Sequence, residues 1–236
     1  MPYIANPADG RSLPSSGAMC ATFVNDLGVS GASISVVSRG GLQSTVCASD
    51  PAVARAEALQ FELGEGPHWD ALSSRAPVLA PDLGAEGESR WPLLVDGMHG
   101  LGIEAIFAFP MLMGAALVGV VDLYSTTARS VDKEFIARAS LAAGRVAMGA
   151  VQQALHSATD PTSAESPMAP ALRREVHQAT GMIIAQLDIS ATAAFARLQG
   201  HAFATGRPID ELAHDVVQGR LAFDNLPDDQ TTPEGE

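Results

Sequence analysis

Lysine is almost missing from this 236-residue chain: Lys133 stands alone among 14 basic residues. With abundant Ala, Gly and Arg, that scarcity points to GC-rich coding more than to chemistry. Apolar runs long enough to span a bilayer are lacking too. Met1-Pro2-Tyr3-Ile4-Ala5 lacks the basic start and apolar core of a secretory leader, so a cytoplasmic location is expected. Cysteine is limited to Cys20 and Cys47, on a predicted helix and a predicted strand, and both read as free thiols. Neither a phosphate loop, a metal-ligand cluster nor a nucleophile–base constellation is visible, and no acidic cluster of the receiver type. The chain is therefore expected not to be an enzyme and to hold no metal or cofactor.

The chain is long enough for one generous domain plus a small one. Its net charge of −13 argues against a broad nucleic-acid surface, but the charge is uneven. Residues 171–223 carry five Lys or Arg and five Asp or Glu, a neutral block inside an acidic protein. His177, His201 and His214 lie in that block.

Residues 1–14 read as a polar lead-in. Met19, Cys20, Phe23, Val24 and Leu27 then recur at helical spacing behind Ser15 and Ser16, until Gly28. Two apolar runs, 32–38 and 42–48, flank Arg39-Gly40-Gly41 and predict a hairpin. Asp50-Pro51 opens a second helix to about Phe61, with an acidic cap and Pro in the first turn. After Gly64-Glu65-Gly66-Pro67-His68 come a short helix, 69–74, and a short strand, 78–80. Residues 84–102 are Gly-rich and predict one or two helical turns. A second hairpin is expected from 106–112 and 117–125, and then a long helix from Asp132 through Phe135, Leu141, Val146 and Val151 to about His156.

This order predicts an α+β domain, an antiparallel sheet with helices packed on it. Over residues 15–156 it resembles a GAF domain. The resemblance rests on Leu59-Gln60-Phe61-Glu62-Leu63-Gly64-Glu65-Gly66-Pro67, on Arg90-Trp91-Pro92, and on Phe107-Ala108-Phe109-Pro110 followed by Val118-Gly119-Val120-Val121-Asp122-Leu123-Tyr124. It implies a sensory input, with or without a small-molecule ligand. Phe61, His68, Trp69, Trp91, Phe107, Phe109, Met111 and Tyr124 are the candidate pocket lining, with plain core packing as the alternative. No second His or Cys lies at ligand spacing from His68, which leaves it without partners for haem or a metal.

Residues 157–170, with three Pro and no aliphatic cluster, predict a linker, and 224–236 an acidic, disordered tail. Between them, Leu172, Val176, Ala179, Ile183 and Leu187 form one helical stripe. Ala194, Phe195, Leu198 and Ala202 follow on a second helix, capped by Asp188 or Ser190. Ile209, Leu212, Ala213, Val216, Val217 and Leu221 lie on a third, with Pro208 suited to its first turn. A three-helix bundle is expected. Gly181 inside a helix costs about 1 kcal/mol relative to Ala, so a neighbouring helix or a ligand must come close there.

This stretch, 171–223, resembles an ANTAR domain on Gln178-Ala179, Gly181-Met182-Ile183, Ala194-Phe195, Leu198, Ala202, and Arg207 with Ile209, Leu212-Ala213 and Val216-Val217. ANTAR domains bind RNA hairpins, typically tandem ones in a leader transcript, and so block a terminator. GAF followed by ANTAR is an architecture of actinobacterial regulators. The resemblance implies an RNA-binding antiterminator, expected as a homodimer paired through the long helix 132–156. Its candidate RNA contacts are Arg173, Arg174, His177, Ala179, Thr180, Gly181, Arg197, His201 and Arg207, with helix packing the competing role for Ala179 and Gly181. Thr180 stands where the family usually carries Lys or Arg, and Gln199 where it often has Arg. Each missing cation weakens binding by on the order of 1 kcal/mol. The alternative is a ligand-sensing regulator that acts through protein contacts, its RNA binding reduced or lost.

Overall fold

A computed structural model of the chain describes residues 16–37, 43–159 and 169–225. Five strands, β1 (Gly31–Val37), β2 (Gln43–Ala48), β3 (Val78–Ala80), β4 (Ala105–Met113) and β5 (Ala116–Ser125), form one sheet in the order β2-β1-β5-β4-β3. Every neighbouring pair is antiparallel. Helices α1 (Ser16–Leu27) and α6 (Lys133–Thr159) cover one face. The short helices α2 (Pro51–Leu63), α3 (Pro67–Ser74), α4 (Leu83–Arg90) and α5 (Pro92–Gly100) cover the other. The α+β architecture read from the sequence is therefore the architecture found. The turn expected at 39–41, the lead-in 1–14 and most of the acidic tail lie outside the described residues, as do 160–168 of the linker. The ends of that linker are helical instead, since α6 runs on to Thr159 and the next helix begins at Ala169.

Alternation along the strands sorts the side chains. Ile34, Val36, Phe107, Phe109, Met111, Val121 and Leu123 point toward α1 and α6, where Met19, Phe23 and Phe135 meet them. On α6 the buried positions are mostly Ala139, Ala143, Ala147 and Ala150, small enough to let the helix lie close to the sheet. Leu141 on the same helix is 57% exposed. The opposite sheet face buries Ile106, Ala108, Val120 and Tyr124 under Val53, Leu83, Trp91, Leu94 and Met98.

The Gly-rich stretch after β3 forms two helices rather than a turn or two. Their first turns are capped, α4 locally and α5 from a distance: Asp82 accepts the Ala85 N–H at 3.0 Å, and the Glu65 carboxylate accepts the Leu94 N–H at 2.9 Å. By contrast, α2 begins as its sequence predicts, with Asp50 accepting from the Val53 N–H.

The two cysteines are not free thiols. Cys20 of α1 and Cys47 of β2 form a disulfide, with Cα atoms 6.2 Å apart. The apolar stripe of α1 packs over β1 and β2, which brings together two residues 27 apart in sequence.

Two substitutions test this framework. A Cβ on Gly119 would lie 2.0 Å from the Ser35 carbonyl oxygen and 2.9 Å from the Val36 Cα. Gly119→Ala is expected to lower stability by about 2 kcal/mol or more, read as a lower urea midpoint at unchanged slope. Replacing Cys20 and Cys47 together by Ala should cost on the order of 3 kcal/mol, the loop-closure value for a span of this length. Thiol titration should find no reactive thiol in the native protein, and a reductant should reproduce the midpoint of the double variant.

Candidate nucleic-acid interface and sensor interior

Beyond the sheet domain, α7 (Ala169–Leu187), α8 (Ala191–Thr205) and α9 (Ile209–Val217) form a three-helix unit, followed by a 3-10 turn at Phe223–Asn225. Ser190 caps α8, accepting from the Ala193 N–H at 3.2 Å. Asp188 does not; it takes a left-handed conformation, φ 51°, where α7 ends. Pro208 is the cap residue of α9, one position before its first turn. Val176, Ala179, Ile183, Ala194, Leu198, Ile209, Leu212, Ala213 and Val216 make the core, as their spacing predicts, and Phe223 closes it.

The nine candidate RNA contacts fall into distinct settings. Arg173, Arg174 and His177 belong to α7, but their side chains lie outside the described residues. Ala179 and Thr180 face the bundle interior with no exposed surface. The Thr180 hydroxyl donates to the Val176 carbonyl at 2.7 Å, which satisfies it within its own helix. Gly181 is exposed, and a Cβ there would meet nothing within 4 Å. No neighbouring helix therefore requires it among the described residues. Arg197 is exposed on α8. His201 is half-buried, edge-on to the Phe223 ring at 5.5 Å.

Arg207 is exposed but neutralised locally. It reaches Asp215 at 2.7 Å and Glu211 at 3.6 Å. Asp215 also binds Arg220 at 2.8 Å. Hydrogen bonds from Arg207 and then Arg220 hold the Asp215 carboxyl below the usual carboxylate range, and the Asp215 partner raises the Arg207 guanidinium further. Arg220 belongs to this exposed charge cluster and was absent from the sequence-derived set, because its link to the site runs through Asp215.

Gln199, expected as a missing cation, has a different task. Its amide Nε2 donates to the carbonyls of Phe61 at 2.9 Å and Glu62 at 3.2 Å, at the end of α2. Phe195 packs on Phe61, ring centroids 4.8 Å apart. The helical unit is thus docked on the sheet domain.

The eight candidate pocket residues do not share one pocket. Phe107, Phe109 and Met111 have the same strand parity and point to the α1/α6 face. Trp91 and Tyr124 lie on the opposite face, and Phe61 and Trp69 pack with the helical unit. A five-stranded sheet stands between the first group and the second.

His68 belongs to a buried polar cluster that apolar periodicity does not reveal. Its Nδ1 lies 2.6 Å from the Asp122 carboxylate and its Nε2 2.9 Å from the Gln43 amide nitrogen. An amide nitrogen can only donate, so the ring accepts at Nε2 and carries its proton at Nδ1, toward Asp122. The Gln60 side chain accepts the His68 backbone N–H at 3.0 Å and donates to the Tyr124 hydroxyl at 3.3 Å. Thr45 donates to buried Glu57 at 2.9 Å. Burial, then the Asp122 and Glu57 charges, push the Tyr124 phenol well above its ordinary range, so it stays neutral. The Ser35 hydroxyl and Asp122 Oδ1 are buried without a hydrogen-bond partner among the described residues. No group of His, Cys, Asp and Glu that could hold a metal ion occurs among the described residues. None of the described helices is long and apolar enough to cross a membrane.

Comparison with known proteins agrees with the two-part geometry. Residues 16–150 match the model of the GAF domain, and residues 168–217 that of the ANTAR domain. No curated protein matches the chain. Among solved structures, the cyanobacteriochrome TePixJ GAF domain shares 14% identity over 65% of this chain and 99% of its own, TM-score 0.48. GAF3 from Slr1393 of Synechocystis sp. PCC6803 shares 14% over 61% of this chain and 96% of its own, TM-score 0.45. A GAF domain/HD domain protein from Geobacter sulfurreducens shares 12% over 61% and 96%, TM-score 0.42. The chain belongs to the GAF domain family, and its GAF domain is followed by an ANTAR domain.

Proposed function

We propose that this protein is a signal-responsive, RNA-binding antitermination regulator of the actinobacterial type, acting in the cytoplasm. The observation that carries this reading is the succession of a GAF match over 16–150 and an ANTAR match over 168–217. Both are regulatory rather than catalytic families. The ANTAR unit takes hairpins of leader transcripts as its ligand, and the GAF unit supplies the signal. Supporting this, the helical block is neutral within a chain of net charge −13. Gly181 leaves open helix surface where a backbone or base can come close. Arg197 and Arg207 are exposed on the same unit, Arg207 at the end of α8, and Arg173, Arg174 and His177 lie in α7.

On the input side, the buried cluster of Gln43, Glu57, His68, Asp122 and Tyr124 is where a small polar ligand would act. Asp122 Oδ1 in that cluster and the Ser35 hydroxyl on the same sheet face lack partners among the described residues, and burying such atoms unpaired costs about 1–3 kcal/mol each.

The protein works as a homodimer on this reading. Leu141, Met148 and Leu155 on α6 are 57%, 51% and 63% exposed and recur every seven residues. Ala137 and Gly144, four residues before Leu141 and Met148, are exposed as well. That is the heptad seam by which a helix pairs with its own copy. Two ANTAR units so joined can engage two hairpins at once.

One observation favours a second reading, a regulator working through protein contacts. Gln199 is committed to α2, and Arg207 is bound by Asp215 and Glu211, so two positions of the RNA face are occupied internally.

A gel-shift with a tandem-hairpin leader RNA separates the two. The antitermination reading expects binding at low salt that weakens as salt rises, and about a fivefold loss or more on Arg197→Glu. No binding at low salt would leave the protein-contact reading in place. For the dimer, Leu141→Glu combined with Met148→Glu is expected to give monomers in analytical ultracentrifugation. The same variant should lose about a hundredfold in affinity for tandem hairpins and almost none for a single hairpin.

A further inference from the structure

The last turn of α2 is held from two sides at once. From within the sheet domain, Gln60 bridges the His68 backbone and the Tyr124 hydroxyl. The Gln60 carbonyl also accepts the Trp69 indole N–H at 2.6 Å. From the helical unit, Gln199 closes the next two carbonyls, those of Phe61 and Glu62. A helix leaves its last four carbonyls without partners of its own, so the end of α2 is a ready acceptor.

The packing follows the same division. Phe61 leaves the sheet domain's two cores and is buried, 6% exposed, among residues of the helical unit. Its ring stacks near Trp69 at 6.4 Å and on Phe195 at 4.8 Å. Gly64 ends α2 at φ 67°, and even a Cβ there would stand 3.0 Å from the Gln199 amide. Adjacent residues Gln60 and Phe61 therefore belong to the buried polar cluster and to the interdomain joint respectively.

We propose that this joint is a latch: Gln199 and Phe195 hold α8 against the end of α2, and the buried cluster around Gln60 sets whether the latch is closed. A change at His68, Asp122 or Tyr124 that moves Gln60 moves the Phe61 carbonyl and Trp69 with it, and the two donor bonds from Gln199 are lost. The closed latch opposes RNA binding, a consequence that rests on the reading of the ANTAR unit given above. Closed, it places Glu62 in the groove that also holds Gln199, Phe203 and Arg207. Glu62 is paired there with Arg55 at 2.6 Å, and the end of α2 covers this face of α8 against a phosphate approaching Arg207. Open, that face of α8 is free.

The test uses the full chain and hydrogen exchange read by mass spectrometry. Gln199→Leu removes the donor at nearly constant size, Gln199→Arg keeps a donor, and Asp122→Asn alters the cluster without touching the joint. In Gln199→Leu and in Asp122→Asn, amides of 60–64 and 195–203 are expected to exchange about tenfold faster. Those of α1 and α6, on the far face of the sheet, should be unchanged, which shows that the fold is intact, and Gln199→Arg should behave as the native protein. Unchanged exchange at 195–203 in Gln199→Leu overturns the latch, and unchanged exchange in Asp122→Asn overturns its control by the cluster. With a tandem-hairpin RNA, Gln199→Leu should bind about tenfold more tightly than the native chain. Equal binding overturns the gating. Absence of RNA binding by every variant counts against the antitermination reading alone, with the exchange result still deciding the latch.

Discussion

Successive side chains on a strand point to opposite faces, and that alternation divides this molecule into its working parts. One face of the sheet is mainly apolar and carries α1 and α6. The other buries Ser33, Ser35, Asp122 and Tyr124 beside its apolar residues. A buried carboxylate is costly unless it is hydrogen-bonded. Asp122 is stabilised by the imidazole N–H of His68, which is oriented in turn by Gln43. The buried ionisable groups of the sheet therefore gather on the face covered by α2 to α5.

The helix α2 connects that interior to the rest of the chain. Its start is local, set by Asp50 and Pro51. Its end is shared: Gly64 turns the chain, Trp69 takes one carbonyl and Gln199 two more. Neutral hydrogen bonds of this kind each contribute about 1 kcal/mol, enough to hold two folded units together and small enough to be exchanged for water. The charged side of the helical unit obeys a different balance. Arg207 and Arg220 are exposed and Asp215 is half-buried between them, so their pairing is screened by solvent and stabilises little.

Much of the fold was legible residue by residue. The strand 78–80, the second hairpin, the Asp50 cap and the bundle core at Val176, Ile183, Leu198, Leu212 and Val216 all follow from periodicity and capping, which act over a few residues. The site was less legible. Thr180 looked like a lost surface cation, yet it points into the bundle and bonds its own helix. Gln199 looked like another, yet it caps a helix 137 residues earlier. Which face of the long helix is buried was not legible either: α6 buries alanines and turns Leu141 outward.

By itself the sequence determined the order of elements, the two domain families and the neutral charge of the helical unit, because each depends on neighbouring residues or on composition. Only the tertiary structure decided which distant residues meet: Cys20 with Cys47, His68 with Asp122 and Gln43, and Phe61 with Phe195. It also separated Phe107, Phe109 and Met111 from Trp91 and Tyr124 across the sheet. The physical reason is the same in each case. Strand register and helix docking set these neighbours, and both arise from burial summed over whole faces, which no short stretch of chain encodes.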